Sequence, residues 1–98
     1  MQNGNDKQLL TELYEAILTL ETVEECKNFL SDLCTIKELQ AMAQRLKSAK
    51  LLLDGKTYNE VIEETDISSA TLARVSKCVR YGSGSYAEVI QKTNARKN

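Results

Sequence analysis

Ala70, Ala73, Arg74 and Lys77 stand at i, i+3, i+4 and i+7, so on a helix they share one side, small residues interleaved with cations. Small side chains let a helix approach a base edge closely, and cations meet phosphate oxygens or guanine. Leu72, Val75 and Val79 recur on the opposite side at helical spacing and would face inward. Just upstream, Val61, Ile62 and Thr65 would line the inner side of a shorter helix, with Ile67 plugging the turn between the two. The segment Thr57 to Arg80 therefore reads as a helix-turn-helix, a device that places its second helix in a DNA major groove.

The charges agree with that reading. The first helix of the motif carries Glu60, Glu63, Glu64 and Asp66 with no cation, whereas Ile67 to Arg80 carries Arg74, Lys77 and Arg80 with no anion. Only the second helix suits a phosphate backbone. Ser69, Ala70, Ala73 and Arg74 are expected to face bases, and Ser68, Thr71, Lys77 and Arg80 to face phosphates. Ser68 also suits the N-cap of the second helix, compatibly, because a helix N-terminus is itself an anion site. For Arg74 the competing reading is a surface ion pair with Glu60 or Glu63, an interaction worth only about 0 to 1 kcal/mol. Tyr58 is expected to pack over the turn. Asp66 stands where a glycine is usual, and Asp tolerates the left-handed conformation better than most residues.

Those helices need a body to hold them. Ninety-eight residues with abundant Leu, no Pro and five aromatic residues fit one all-α domain near the lower end of what buries its own core. Four Ser/Thr-x-x-Glu matches, Thr22 to Glu25, Thr35 to Glu38, Thr57 to Glu60 and Ser85 to Glu88, are candidate capping boxes that mark helix starts. A first helix is expected from about Lys7 to Thr19, a second from Thr22 through Leu33, and a third, the longest, from Ile36 to about Leu53, capped by Gly55. In the third, Ile36, Leu39, Met42, Ala43, Leu46, Ala49 and Leu53 are expected to point inward. After Arg80, Tyr81 to Ser85 reads as a stop and connection, followed by a short sixth helix from Tyr86 to about Lys92 and a frayed tail from Thr93 to Asn98.

The first three helices hold more apolar surface than a monomer of this size can cover, which calls for a partner. The net charge of -1 makes the local distribution of charge, not its total, the argument for DNA. Cys26, Cys34 and Cys78 have no metal-ligand spacing and the chain has no histidine, so neither a metal nor any cofactor is expected, and Cys26 and Cys34 read as small core residues. Without histidine or a phosphate loop none of the usual catalytic constellations can be assembled, and no enzyme is expected. No apolar run approaches the about 20 residues of a membrane span, and MQNGNDKQ lacks a secretory signature, so a cytoplasmic protein without membrane contact is expected.

The chain resembles the tryptophan-repressor superfamily, and within it the YerC/YecD branch. The markers are Phe29-Leu30-x-x-Leu33-x-Thr35-x-x-Glu38, Ala43-Gln44-Arg45, Leu51-Leu52-x-x-Gly55 and Ala70-Thr71-x-x-Arg74, with a one-residue adjustment between Gly55 and Glu64. The resemblance implies a six-helix domain that forms an intertwined homodimer: residues 1–55 dimerise, residues 56–80 form the helix-turn-helix, and residues 81–98 hold the linker, short helix and tail. It also implies a regulator that binds a palindrome in double-stranded DNA, with a small-molecule effector held by residues matching Thr35, Arg45 and Arg74. Val75 stands where the tryptophan repressor has a glycine. A β-branched side chain there would crowd an indole ring, which argues against tryptophan as the effector. The alternative reading is a helix-turn-helix used for protein assembly without DNA.

Overall fold

Capping sets where the helices begin. Thr57 and Glu60 form a complete box: the Thr57 hydroxyl accepts from the Glu60 amide at 3.2 Å and the Thr57 amide donates to the Glu60 carboxylate at 2.8 Å. Thr35 and Glu38 repeat it at 3.1 and 2.8 Å. The Thr22 match is half a box, because the Glu25 carboxylate takes the amide of Glu21 at 2.7 Å instead of that of Thr22. The fourth match is corrected. Ser85 lies inside its helix, whose first carbonyl acceptor is Gly84 at positive φ, and the Ser85 hydroxyl pairs with Ser83 at 3.0 Å.

In this computed structural model, which describes residues 4–97, six helices follow one another: α1 (Gly4–Leu18), α2 (Val23–Leu33), α3 (Ile36–Leu53), α4 (Tyr58–Thr65), α5 (Ser69–Tyr81) and α6 (Ser85–Lys97). There is no strand among the described residues, and the fold is all-α. None of these helices is long and apolar enough to cross a membrane. Met1 to Asn3 of the N-terminal stretch and Asn98 of the expected tail lie outside the described residues. Two helices are longer than expected. α1 starts three residues earlier than Lys7. Thr93 to Lys97, expected to fray, continue α6: no Pro or Gly interrupts them, the Thr93 hydroxyl donates to the Val89 carbonyl at 2.8 Å, and Arg96 and Lys97 complement the C-terminal dipole.

The chain divides into two compact units, residues 1–39 and 40–98. In the first, α1 and α2 contribute no buried residue: Leu18 is 83% exposed and Val23 86%. Cys26 and Cys34, expected in a core, are only half-buried there. The second unit has an apolar core of Ala49, Leu51, Val61, Ile67, Leu72, Val75 and Ile90, with Leu52, Ile62, Val79 and Tyr86 packed around it. This corrects the expected inward face of α3. Met42, Leu46 and Leu53 are exposed, Ala43 with them, and the core takes Leu51 and Leu52 beside the expected Ala49. The helix carries two apolar stripes, and the one through Ile36, Met42, Leu46 and Leu53 is left open by this chain.

α3 ends in a Schellman motif: the Lys56 amide reaches the Leu51 carbonyl and the Gly55 amide that of Leu52, both at 3.0 Å, with Gly55 at φ +91°. At the other end of α4, Asp66 is left-handed (φ 62°) and its amide donates to Ile62 at 2.9 Å. A polar latch ties this turn to α3. Gln44 Nε2 donates to the Thr65 carbonyl at 2.9 Å, the fully buried Ser48 donates to the Gln44 carbonyl at 2.8 Å, and the Thr65 hydroxyl donates to Val61 at 2.7 Å while accepting from the Ile67 amide at 3.2 Å.

Thr65→Val leaves the Ile67 amide unpaired, so chemical denaturation should show a loss of about 1–3 kcal/mol, largely recovered by Thr65→Ser. The Thr57 hydrogen bonds, aided by Lys56, hold the Glu60 carboxyl below its ordinary 4.5. A lowered carboxylate stabilises above its unfolded pKa and ceases to as pH falls through the folded one. The parent should therefore lose more stability on acidification below about pH 4.5 than Glu60→Gln, and a parallel loss in both would contradict the box.

Candidate nucleic-acid interface and ligand cleft

The orientation of α5 is set by what it buries. Leu72, Val75 and Ser76 are buried and Val79 half-buried, so the opposite side must face solvent. Ser69, Ala70, Ala73, Arg74, Lys77 and Arg80 are all exposed, and Thr71 is half-buried. This is the division the spacing predicts. Ser68 caps the helix: its hydroxyl accepts from the Thr71 amide at 3.2 Å and donates to the Thr71 hydroxyl at 2.9 Å. The cap fixes Thr71 beside Ser68 at the positive end of the helix dipole, with no acidic residue in the first turn.

The ion-pair reading of Arg74 is not what forms. Among the described residues the only ion pair is Lys47 with Glu64, at 3.9 Å and half-exposed. Glu60 and Glu63 instead share a shallow acidic groove with Lys56 and Glu64. The cations of α5 keep their charge unspent, and one exposed strip of the helix is positive. α5 ends at Tyr81, one residue beyond the expected Arg80, and is capped by Gly82, whose amide donates to the Cys78 carbonyl at 2.9 Å and where a Cβ would collide with that carbonyl.

On one flank of α5 lies a cleft of about 320 Å³ lined by Arg45, Thr71, Arg74, Val75, Cys78 and Tyr86. It brings together Arg45 and Arg74, twenty-nine residues apart in sequence. Val75, at 2% exposure, belongs both to this wall and to the core, so its branched side chain cannot swing away to enlarge the cleft. Thr35 belongs to the N-terminal unit, where its hydroxyl is occupied in the α3 cap. Tyr86 and Cys78 were not singled out from sequence. The signal for Tyr86 was its i, i+4 relation to the buried Ile90, which turns both toward the same neighbours. With two guanidinium groups, the hydroxyls of Thr71 and Tyr86 and no carboxylate, the cleft suits a small anion.

A six-helix fold with a helix-turn-helix mounted on it, and an arginine-lined cleft beside the second motif helix, defines a repressor-type architecture. The chain belongs to the Trp repressor protein family, whose model matches residues 8–94. It is 43% identical over 83 residues to the uncharacterised YerC protein of Bacillus subtilis, covering 85% of this chain and 80% of that one. Two crystal structures share the fold. A TrpR-like protein from Eubacterium eligens is 36% identical with a TM-score of 0.84, covering 89% of this chain and 90% of the other. A protein from Staphylococcus aureus, provisionally called a Trp repressor, is 38% identical with a TM-score of 0.85, covering 95% and 96%.

Proposed function

We propose that the protein is a DNA-binding transcriptional regulator that acts by occupying a palindromic operator as a homodimer. The observation that carries this reading is the exposed strip of α5, where Ala70, Ala73, Arg74 and Lys77 stand free of acidic partners over a fully packed opposite side. In the proposed complex Ser69, Ala70, Ala73 and Arg74 meet base edges, while Ser68, Thr71, Lys77 and Arg80 meet phosphates. No chemistry is performed. Family membership supports a regulator over an enzyme.

The N-terminal helices supply the reason for a dimer. Leu9, Leu18, Val23, Leu33 and Ile36 are all at least half exposed, and the open stripe of α3 adds Met42, Leu46 and Leu53. Apolar surface on that scale is the mark of an interface, and a second copy of the chain covers it by symmetry. On this reading residues 1–55 dimerise and residues 56–80 read DNA. The effector is a small anion held by Arg45 and Arg74, with Thr35 the further candidate from the family pattern, and Val75 excludes an indole from the slot.

Salt and substitution test the proposal together. With several phosphate contacts, affinity for the operator should fall by orders of magnitude between about 50 and 200 mM salt. Arg74→Ala should cost about 1–3 kcal/mol and relax base preference, while Lys77→Ala should weaken all sequences alike and lower the salt slope by about one. An Arg74→Ala protein that binds as tightly and as selectively as its parent contradicts the assignment, and no DNA affinity at low salt would favour the assembly module.

A further inference from the structure

Tyr81 is the large aromatic side chain of α5, and the core does not use it. It is 79% exposed, against 58% for Tyr14 and 40% for Tyr58, which was expected to pack over the turn, while Tyr86 is half-buried against the core. The direction of the ring follows from the helix. Tyr81 stands nine residues beyond the fully buried Leu72, which is two and a half turns at about 3.6 residues per turn, so the two side chains leave opposite sides of α5. On the outward side it stands at i+11 from Ala70, i+7 from Arg74 and i+4 from Lys77, and so continues the exposed strip along its middle.

The surroundings of that strip are positive. No carboxylate occurs in the sequence between Asp66 and Glu88. Of the two grooves that flank α5, one carries Arg45 and Arg74 and the other Lys56 and Arg80, and no carboxylate lines either. The one ion pair among the described residues, Lys47 with Glu64, engages none of these cations. A ring with a hydroxyl at its tip, set among unpaired cations, has the chemistry of a contact to a sugar–phosphate backbone: the ring packs on a sugar and the hydroxyl donates to a phosphate oxygen.

We propose that Tyr81 contacts the DNA backbone, beyond the bases that the first turns of α5 read. This rests on the reading of α5 as the recognition helix. Such a helix meets base edges with its N-terminal residues, which leaves its far end toward the groove wall, where the phosphates are. At about 1.5 Å per residue Tyr81 lies roughly 10 Å along the axis from Arg74, a span comparable to the major-groove width of about 12 Å. The contact is neutral, and this sets it apart from those of Lys77 and Arg80. It strengthens binding to every sequence alike and releases no counterion, because the phenol brings no charge to the phosphate.

The full chain, its Tyr81→Phe and Tyr81→Ala variants and Lys77→Ala are titrated with labelled double-stranded DNA of random sequence across a range of salt. Tyr81→Phe should weaken binding roughly threefold and Tyr81→Ala roughly tenfold. Neither should change the slope of affinity against salt, whereas Lys77→Ala lowers it by about one. Both Tyr81 variants should melt like the parent, since the side chain buries little. In protein carrying fluorotyrosine, the fluorine resonance missing from Tyr81→Phe should be the one that moves most when DNA is added. Parent-like affinity in both variants, with a parent that binds DNA, overturns this contact and leaves the DNA-binding reading standing; a parent with no DNA affinity removes both. A salt slope altered in Tyr81→Phe would also overturn it, as would a loss in Tyr81→Ala that sedimentation traces wholly to dissociation of the dimer, which would give the ring to a second copy of the chain.

Discussion

The packing of Ile67 between α4 and α5 is the contact on which the helix-turn-helix depends. Ile67 is 1% exposed and meets a core in which Val61 and Leu72 are wholly buried, and burying one such side chain is worth about 1.5–3 kcal/mol. It reaches that position because the chain turns at Asp66 through the left-handed region, which sets the direction in which α5 departs. The Thr65 hydroxyl pairs the Ile67 amide, and Gln44 ties the Thr65 carbonyl to α3. Apolar burial drives the turn closed, and the polar latch fixes where it closes.

The electrostatics follow from that geometry. Once Leu72, Val75 and Val79 are committed inward, Arg74, Lys77 and Arg80 have no choice of side, and the acidic residues of α4 line a groove of their own. A chain of net charge -1 can thus present a positive strip. Val75 is the residue shared by the core and the arginine-lined cleft, so any ligand there must fit a wall that folding has already fixed. On the proposed reading, that wall disfavours an indole, and the two guanidinium groups beside it suit a compact anion.

Much of this was legible in the sequence, and the parts that were not share a cause. The inner and outer sides of α5, the Ile67 plug, the left-handed Asp66 and the Thr35 and Thr57 boxes are local patterns, decided by residues within two turns of one another. The inward face of α3 was misread because the helix carries two apolar stripes, and periodicity cannot say which of them meets the same chain. Leu51 and Ser48 face the core on the second stripe, whereas Leu46 and Leu53, expected inward, are exposed. The length of α6 was underestimated because a polar tail was equated with fraying, although it holds no helix breaker. The pairing of Arg45 with Arg74, and the place of Tyr86 and Cys78 beside them, depends on contacts across the fold that spacing does not encode.

The central claim is that two copies of α5 read DNA as a symmetric pair, and selection of bound sequences from random double-stranded DNA by the purified protein tests it most directly. The account predicts a palindrome whose half-sites are separated by about 34 Å or a multiple of it, lost when Arg74 is replaced by Ala. Enrichment of no sequence, or of a single asymmetric site indifferent to Arg74, would contradict it.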